Sequence, residues 1–354
     1  MDKIYLVLQN GQVYEGQSFG AKAEVVGEIV FNTGMGGFLQ MLTDKCYQGQ
    51  IVVDTFPMLG NYGVNEDALG KQSTVKAVLT REVCDTPSNF RSKGNISDLM
   101  KELGVVGMSG IDTRALTRYI RDNGSQKAII CDSSNLTESQ KKALDDFDVV
   151  RPIEEICQAQ SVVECEGKGD KVVVINLGET YDIVDMLISK NCTVDVVSYD
   201  TSAKDILARK PKGVVLSSGS DLVRDTKVVE DTIQALATSG IAMLGIGLGH
   251  EMIAKAMGCT LEKMAHGQHG NQPVKKVDTG QLFTTYQNHN MNVVVEGDDD
   301  IKVVYRNVND GSVEGLYYNK IKAMSVAFLP STNGGPIATD FVYDEFLQLT
   351  KENR

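Results

Sequence analysis

Four short apolar runs recur along the second half of the chain: Val172-Val173-Val174-Ile175, then Thr193 to Val197, Gly213 to Leu216 and Ile241 to Gly245, with helical spacing between them. An uninterrupted β-branched run leaves no polar face, so such a strand must be covered on both sides, and crossover helices between parallel strands provide that cover. The pattern predicts an α/β domain with a mostly parallel sheet over 171–354. The last run continues through Gly245-Ile246-Gly247-Leu248-Gly249-His250-Glu251, a strand that enters a helix by a glycine-rich tight turn. A turn of this kind lifts one residue, here Gly247, above the strand ends at the positive end of a helix, where a nucleophile elbow carries its reactive side chain. The Gly-x-Gly-x-Gly spacing departs from the Gly-x-Gly-x-x-Gly of dinucleotide sites and lies late in the domain, so a dinucleotide is not expected.

The first part of the chain has a different texture. Short strands and glycine turns (Ile4 to Leu8, Asn10-Gly11, Val13-Tyr14, Glu28 to Phe31) give way to helical spacing at Asn95 to Leu103. A second helix is expected through Ala115, Leu116, Tyr119 and Ile120, capped by Asp112 or Thr113. A mixed, β-rich domain over 1–150 is expected. Between about 134 and 170 the chain turns polar and acidic, with Glu154-Glu155, Glu164, Glu166 and Gly167-Lys168-Gly169, and 151–170 reads as a linker. A length of 354 residues agrees with two domains, since single cores rarely grow much past about 250 residues.

Charge narrows the partners. With 35 Lys plus Arg against 47 Asp plus Glu, the net charge of -12 opposes a phosphate backbone, so no nucleic acid is expected. No apolar run approaches the roughly 20 residues that span a bilayer, and the start lacks a basic segment followed by a long apolar stretch, so a cytoplasmic chain with no membrane association is expected. The seven cysteines are scattered without Cys-x2-Cys pairs, and the four histidines lack ligand spacing, so neither a metal nor another cofactor is expected.

Longer segments carry a family likeness. In the first domain these are Phe31-Asn32-Thr33-Gly34-Met35-Gly36-Gly37-Phe38, Leu42-Thr43-Asp44, Gly49-Gln50-Ile51-Val52, Gly60-Asn61-Tyr62-Gly63-Val64-Asn65 and Gly110 through Arg118. In the second they are the elbow, Lys263 to Val274, Gln287-Asn288-His289 and Phe328-Leu329-Pro330. Through them the chain, end to end, resembles the small subunits of glutamine-dependent carbamoyl-phosphate synthetases, which supply precursors of arginine and pyrimidines. The resemblance implies a small-subunit domain followed by a class I glutamine amidotransferase domain, with the synthetase large subunit for a partner.

The same resemblance exposes what is missing. Family members hydrolyse glutamine with an elbow cysteine in a motif like Gly-Ile-Cys-Leu-Gly-His-Gln, and with a histidine and glutamate in a later His-Pro-Glu motif. Those three positions fall on Gly247, Leu329 and Ser331. Glycine has no nucleophile, leucine exchanges no proton, and serine has no histidine to orient. The glutamine pocket departs as well. The family's Leu-Ser-Asn-Gly-Pro-Gly-Asp-Pro loop reads Leu216-Ser217-Ser218-Gly219-Ser220-Asp221-Leu222-Val223, which keeps Gly219 and puts Asp221 where a glycine amide lined the pocket. The helix glutamine falls on Glu251 beyond Leu248, the serine of Pro-Ser-Tyr on Cys46, and Asn-His-Gly-Phe on Asn288-His289-Asn290-Met291.

The sequence therefore predicts a small-subunit homologue that has lost glutamine hydrolysis and serves as a structural or regulatory subunit of an ammonia-using synthetase. The alternative is a free-standing protein whose old pocket, with Asp221 and Glu251, selects a cationic ligand.

Overall fold

The computed structural model describes residues 2–66, 72–157, 163–165, 168–178, 181–297, 299–330 and 339–352, with the side chains of 163–165 and 181 left aside. The chain divides into two compact units, Met1–Val149 with Ala265–Gly270, and Val150–Met264 with Asn271–Arg354.

The first unit is a closed barrel of seven strands. Around it run Lys3–Leu8, Val13–Gly20, Val106–Ser109, Ala77–Leu79, Gln50–Asp54, Val25–Asn32 and Gln126–Cys131, which returns to Lys3–Leu8. The strand Gln50–Asp54 pairs in parallel with both its neighbours, while Lys3–Leu8 pairs antiparallel with both of its own. Strand period does the sorting. Ile29, Phe31, Ile51, Val53 and Leu79 join one core with Leu116 and Ile120 of the helix Thr113–Asn123, whose start is capped by the Asp112 side chain. The intervening Val30, Val52 and Val78 join a second core with the helices Phe38–Thr43 and Ile96–Glu102.

The second unit is built on a ten-stranded sheet. Its middle is parallel, in the order Thr193–Ser198, Lys171–Asn176, Gly213–Leu216, Ala242–Ile246 and Ala323–Val326. Beyond Ala323–Val326 the sheet continues antiparallel through Val313–Tyr318 and Ile301–Asn307 to the long strand Thr260–Lys276. The β-branched runs are covered on both faces, as an all-apolar strand requires. Val173, Ile175, Val214, Leu216 and Met243 face the helices Lys227–Ser239 and Leu248–Ala256. Val172, Val174, Val215, Leu244 and Ile246 face Tyr181–Ser189 and Phe341–Lys351.

Part of the stretch expected as a linker is built into this unit. Arg151–Pro152 pairs with Val223–Arg224, and Ile153 and Ile156 of the short helix that follows are buried in the core, because their apolar side chains have a face to cover. No helix among the described residues is long and apolar enough to cross a membrane.

Candidate functional site

Everything at the elbow follows from one strained turn. The strand Ala242–Ile246 ends at Gly247, which has φ 56° and ψ -116°, and the helix Leu248–Ala256 begins directly after it. That backbone conformation is costly for a residue with a β-carbon and freely available to glycine. The turn is fixed on both sides: Gly247 N donates to Val326 O at 2.9 Å, and the Gly247 carbonyl accepts from His250 N at 2.9 Å. Gly249 lets the helix start press against the Leu216 carbonyl, where a β-carbon would collide, so the repeated glycines serve close packing.

The turn carries no side chain, and its surroundings are apolar or already engaged. A β-carbon on Gly247 would lie 3.0 Å from Ser218 Cβ and 3.6 Å from Leu329 Cδ2. Leu329 is half-buried, packs with the cluster that holds Phe328 and Val326, and donates its N–H to Tyr286 O at 2.9 Å. The sequence placed Gly247 and Leu329 in one site, and the structure brings them together; Ser331 lies outside the described residues. Neither glycine nor leucine has an atom that attacks a carbonyl or carries a proton.

The loop 217–222 lies beside this turn. Gly219 sits so close to the Leu177 carbonyl that a β-carbon would overlap it, and that β-carbon would also stand 3.3 Å from Leu248 Cδ2. Asp221, buried, turns its carboxylate onto the segment 290–291. It accepts from Met291 N at 2.8 Å, from Asn290 Nδ2 at 2.9 Å and from Asn290 N. Asn288 and Asn290 are buried and Met291 is half-buried. These bonds take up the carboxylate that the sequence reading offered to a cationic ligand.

Glu251 is perturbed by the same surroundings. It is buried, burial and then the Asp221 charge push its carboxyl well above the usual range, and its Oε2 has no hydrogen-bond partner among the described residues. His250, one residue earlier, bonds through Nδ1 to Ser325 Oγ at 2.8 Å, and burial lowers its pKa to about 3, so it is neutral at physiological pH. His289 contacts Met291 O at 3.0 Å through Nδ1 and Gln287 Oε1 at 2.8 Å through Nε2, while Gln287 Nε2 reaches Glu314 Oε2 at 2.8 Å. This last network was not legible in the sequence, because Glu314 stands on a strand with no motif around it. Cys46 belongs to the first unit, buried in the turn Lys45–Tyr47, with its N–H donated to Asp44 Oδ1 at 2.8 Å. Among the described residues no three His, Cys, Asp or Glu side chains group as metal ligands.

Two family models match the chain. Residues 6–130 match the carbamoyl-phosphate synthase small chain, CPSase domain, and residues 173–349 match the class I glutamine amidotransferases. The chain is 36% identical to the carbamoyl phosphate synthase small chain of Fusobacterium nucleatum, covering 98% of each. It is 37% identical to the pyrimidine-specific small chain of Halalkalibacterium halodurans, covering 99% of this chain and 98% of that one. Among solved structures, a glutamine amidotransferase from Thermotoga maritima aligns with 52% of this chain and 86% of its own, at 18% identity and a TM-score of 0.39.

Proposed function

Because this chain belongs to the carbamoyl phosphate synthase small-chain family, we propose that it acts there as a subunit without glutaminase chemistry, paired with a large chain that takes its nitrogen from free ammonia. The observation that carries this reading is Gly247 at the elbow with Leu329 against it. In an acyl-transfer site of this kind a nucleophile and a proton shuttle act as a unit, and both roles here fall on side chains that cannot fill them. The helix N-terminus still points its positive end at the turn, with no anion formed there to stabilise.

The pocket supports the same reading. Asp221 spends its carboxylate on the Asn290 and Met291 amides, so donors that would meet an incoming carboxylate already hold one. An amino acid entering this space would have to displace a buried, hydrogen-bonded group. What remains intact is the first unit, whose long segments carry the small-subunit likeness, and this favours a role in assembly with a large chain.

The test is two measurements on the purified chain. Ammonia release from glutamine should stay at the no-protein background, and the chain should co-elute with the large chain of its organism in size-exclusion chromatography. Ammonia release above background contradicts the loss of hydrolysis. Separate elution contradicts the subunit role and favours the free-standing alternative.

A further inference from the structure

The first unit holds a cleft of about 90 Å³ that has no part in the elbow. Phe38, Met41 and Leu59 wall it, and Met35 and Met58, 76% and 41% exposed, stand at its rim. The carboxyl group of Asp54, at the end of the strand Gln50–Asp54, lines the same cleft and is only 6% exposed. Its Oδ1 accepts from Phe56 N at 3.1 Å, and among the described residues the carboxyl takes no second hydrogen bond and pairs with no basic side chain. A buried carboxyl in apolar surroundings normally finds a cation or several donors, since its charge is otherwise uncompensated. Here burial pushes Asp54 up to about 7, so near neutral pH it gains a charge that, among the described residues, only the Phe56 N–H meets.

We propose that this cleft binds a small organic cation, an ammonium or amidinium head on a short apolar body, with Asp54 as its counter-ion. The head takes the unshared lone pairs of the carboxylate, and the body lies against the aromatic and thioether walls. Methionines at the rim suit this use, because their unbranched, polarisable side chains adapt to the shape of what they cover. Asn32, Asn61 and Tyr62, whose hydroxyl accepts from Phe38 N at 3.1 Å, also line the cleft, and apolar walls with a few polar groups and one perturbed carboxyl are the make-up of a small-molecule site. If Asp54 served only to hold the Phe56 N–H, an asparagine would do the same, and added cations would make no difference.

Benzylamine is a suitable probe, with benzyl alcohol as its neutral counterpart. Titrated into the full chain at about pH 8 and followed by methionine-methyl NMR, benzylamine should bind saturably with a Kd of about 1–10 mM, as fits its size, and should move the Met35 and Met58 signals. Binding should weaken about ten-fold at about pH 5.5, where Asp54 is protonated, and about ten-fold for benzyl alcohol at either pH. Asp54→Asn should lose binding to the same degree while keeping the wild-type spectrum elsewhere. If that variant does not fold, the pH and alcohol comparisons on the wild-type chain decide alone. Equal affinity for the amine and the alcohol, equal affinity of wild type and Asp54→Asn, or no saturable binding at about pH 8 overturns the proposal. None of these outcomes bears on glutamine hydrolysis.

Discussion

A β-carbon placed on Gly247 would stand 3.6 Å from Leu329 Cδ2 and 3.0 Å from Ser218 Cβ, so the space beside the elbow holds the Leu329 hydrocarbon where a proton shuttle would be needed. Restoring a nucleophile alone therefore restores no chemistry. Gly247→Cys should release ammonia from glutamine no faster than wild type, since the proton shuttle is still absent. The substitution should also destabilise. With φ at 56° and ψ at -116°, any residue with a β-carbon is strained by about 1–3 kcal/mol. Urea unfolding of Gly247→Ala, which tests the backbone alone, should show a loss in that range; unchanged stability would mean that the turn is not held in this conformation.

Asp221 gives the second prediction. Truncation in Asp221→Ala leaves the buried Asn290 donors and the half-buried Met291 N–H without their acceptor, which should cost about 3 kcal/mol or more, since each bond to a charged group is worth about 1.5–3. Acetate should then raise the melting temperature of the variant relative to chloride at equal ionic strength and leave wild type unmoved. No acetate effect on the variant would mean that the donors found other partners.

His250 and Glu251 pull stability in opposite directions with pH. The folded pKa of His250 is depressed to about 3, below its unfolded value, so the unfolded chain binds the proton first. Its contribution is complete above about pH 6.5 and is lost as pH falls toward 3, at up to about 1.4 kcal/mol per pH unit. His250→Gln should flatten that acid-side loss in thermal unfolding.

Glu251 has its folded pKa raised well above 4.5, so the folded chain holds its proton longer than the unfolded one. Its favourable contribution is present at low pH and falls away as pH rises above about 4.5. The isosteric Glu251→Gln should accordingly be more stable than wild type at about pH 7 and differ little at about pH 4. A variant less stable than wild type at pH 7 would mean that the carboxylate is charged and satisfied in the folded chain.

Much of this was readable from residues because it is local. Val172 to Ile175 has no polar position, so burial on both faces followed from the run itself, and the glycines between 245 and 249 marked the turn because few other residues fit it. The seven-stranded barrel was not readable beyond its β-rich character: its closure pairs Leu6 with Ile130, more than a hundred residues apart, and no short-range pattern records such a partner. The partners of Asp221 were not readable for the same reason. As a residue in a loop it looked like a free charge, and only the fold brings Asn290 and Met291 to it across about seventy residues. Asp54 gave no signal at all, being one acidic residue at the end of an apolar strand.

Mixing the chain with the large chain of its organism and measuring carbamoyl phosphate separates the two nitrogen donors in one assay. Ammonia with bicarbonate and ATP should give product, whereas glutamine in place of ammonia should give product at least about a thousand-fold more slowly, the scale of losing a nucleophile and its proton shuttle together. Product from glutamine at a rate near that from ammonia would contradict the loss of hydrolysis.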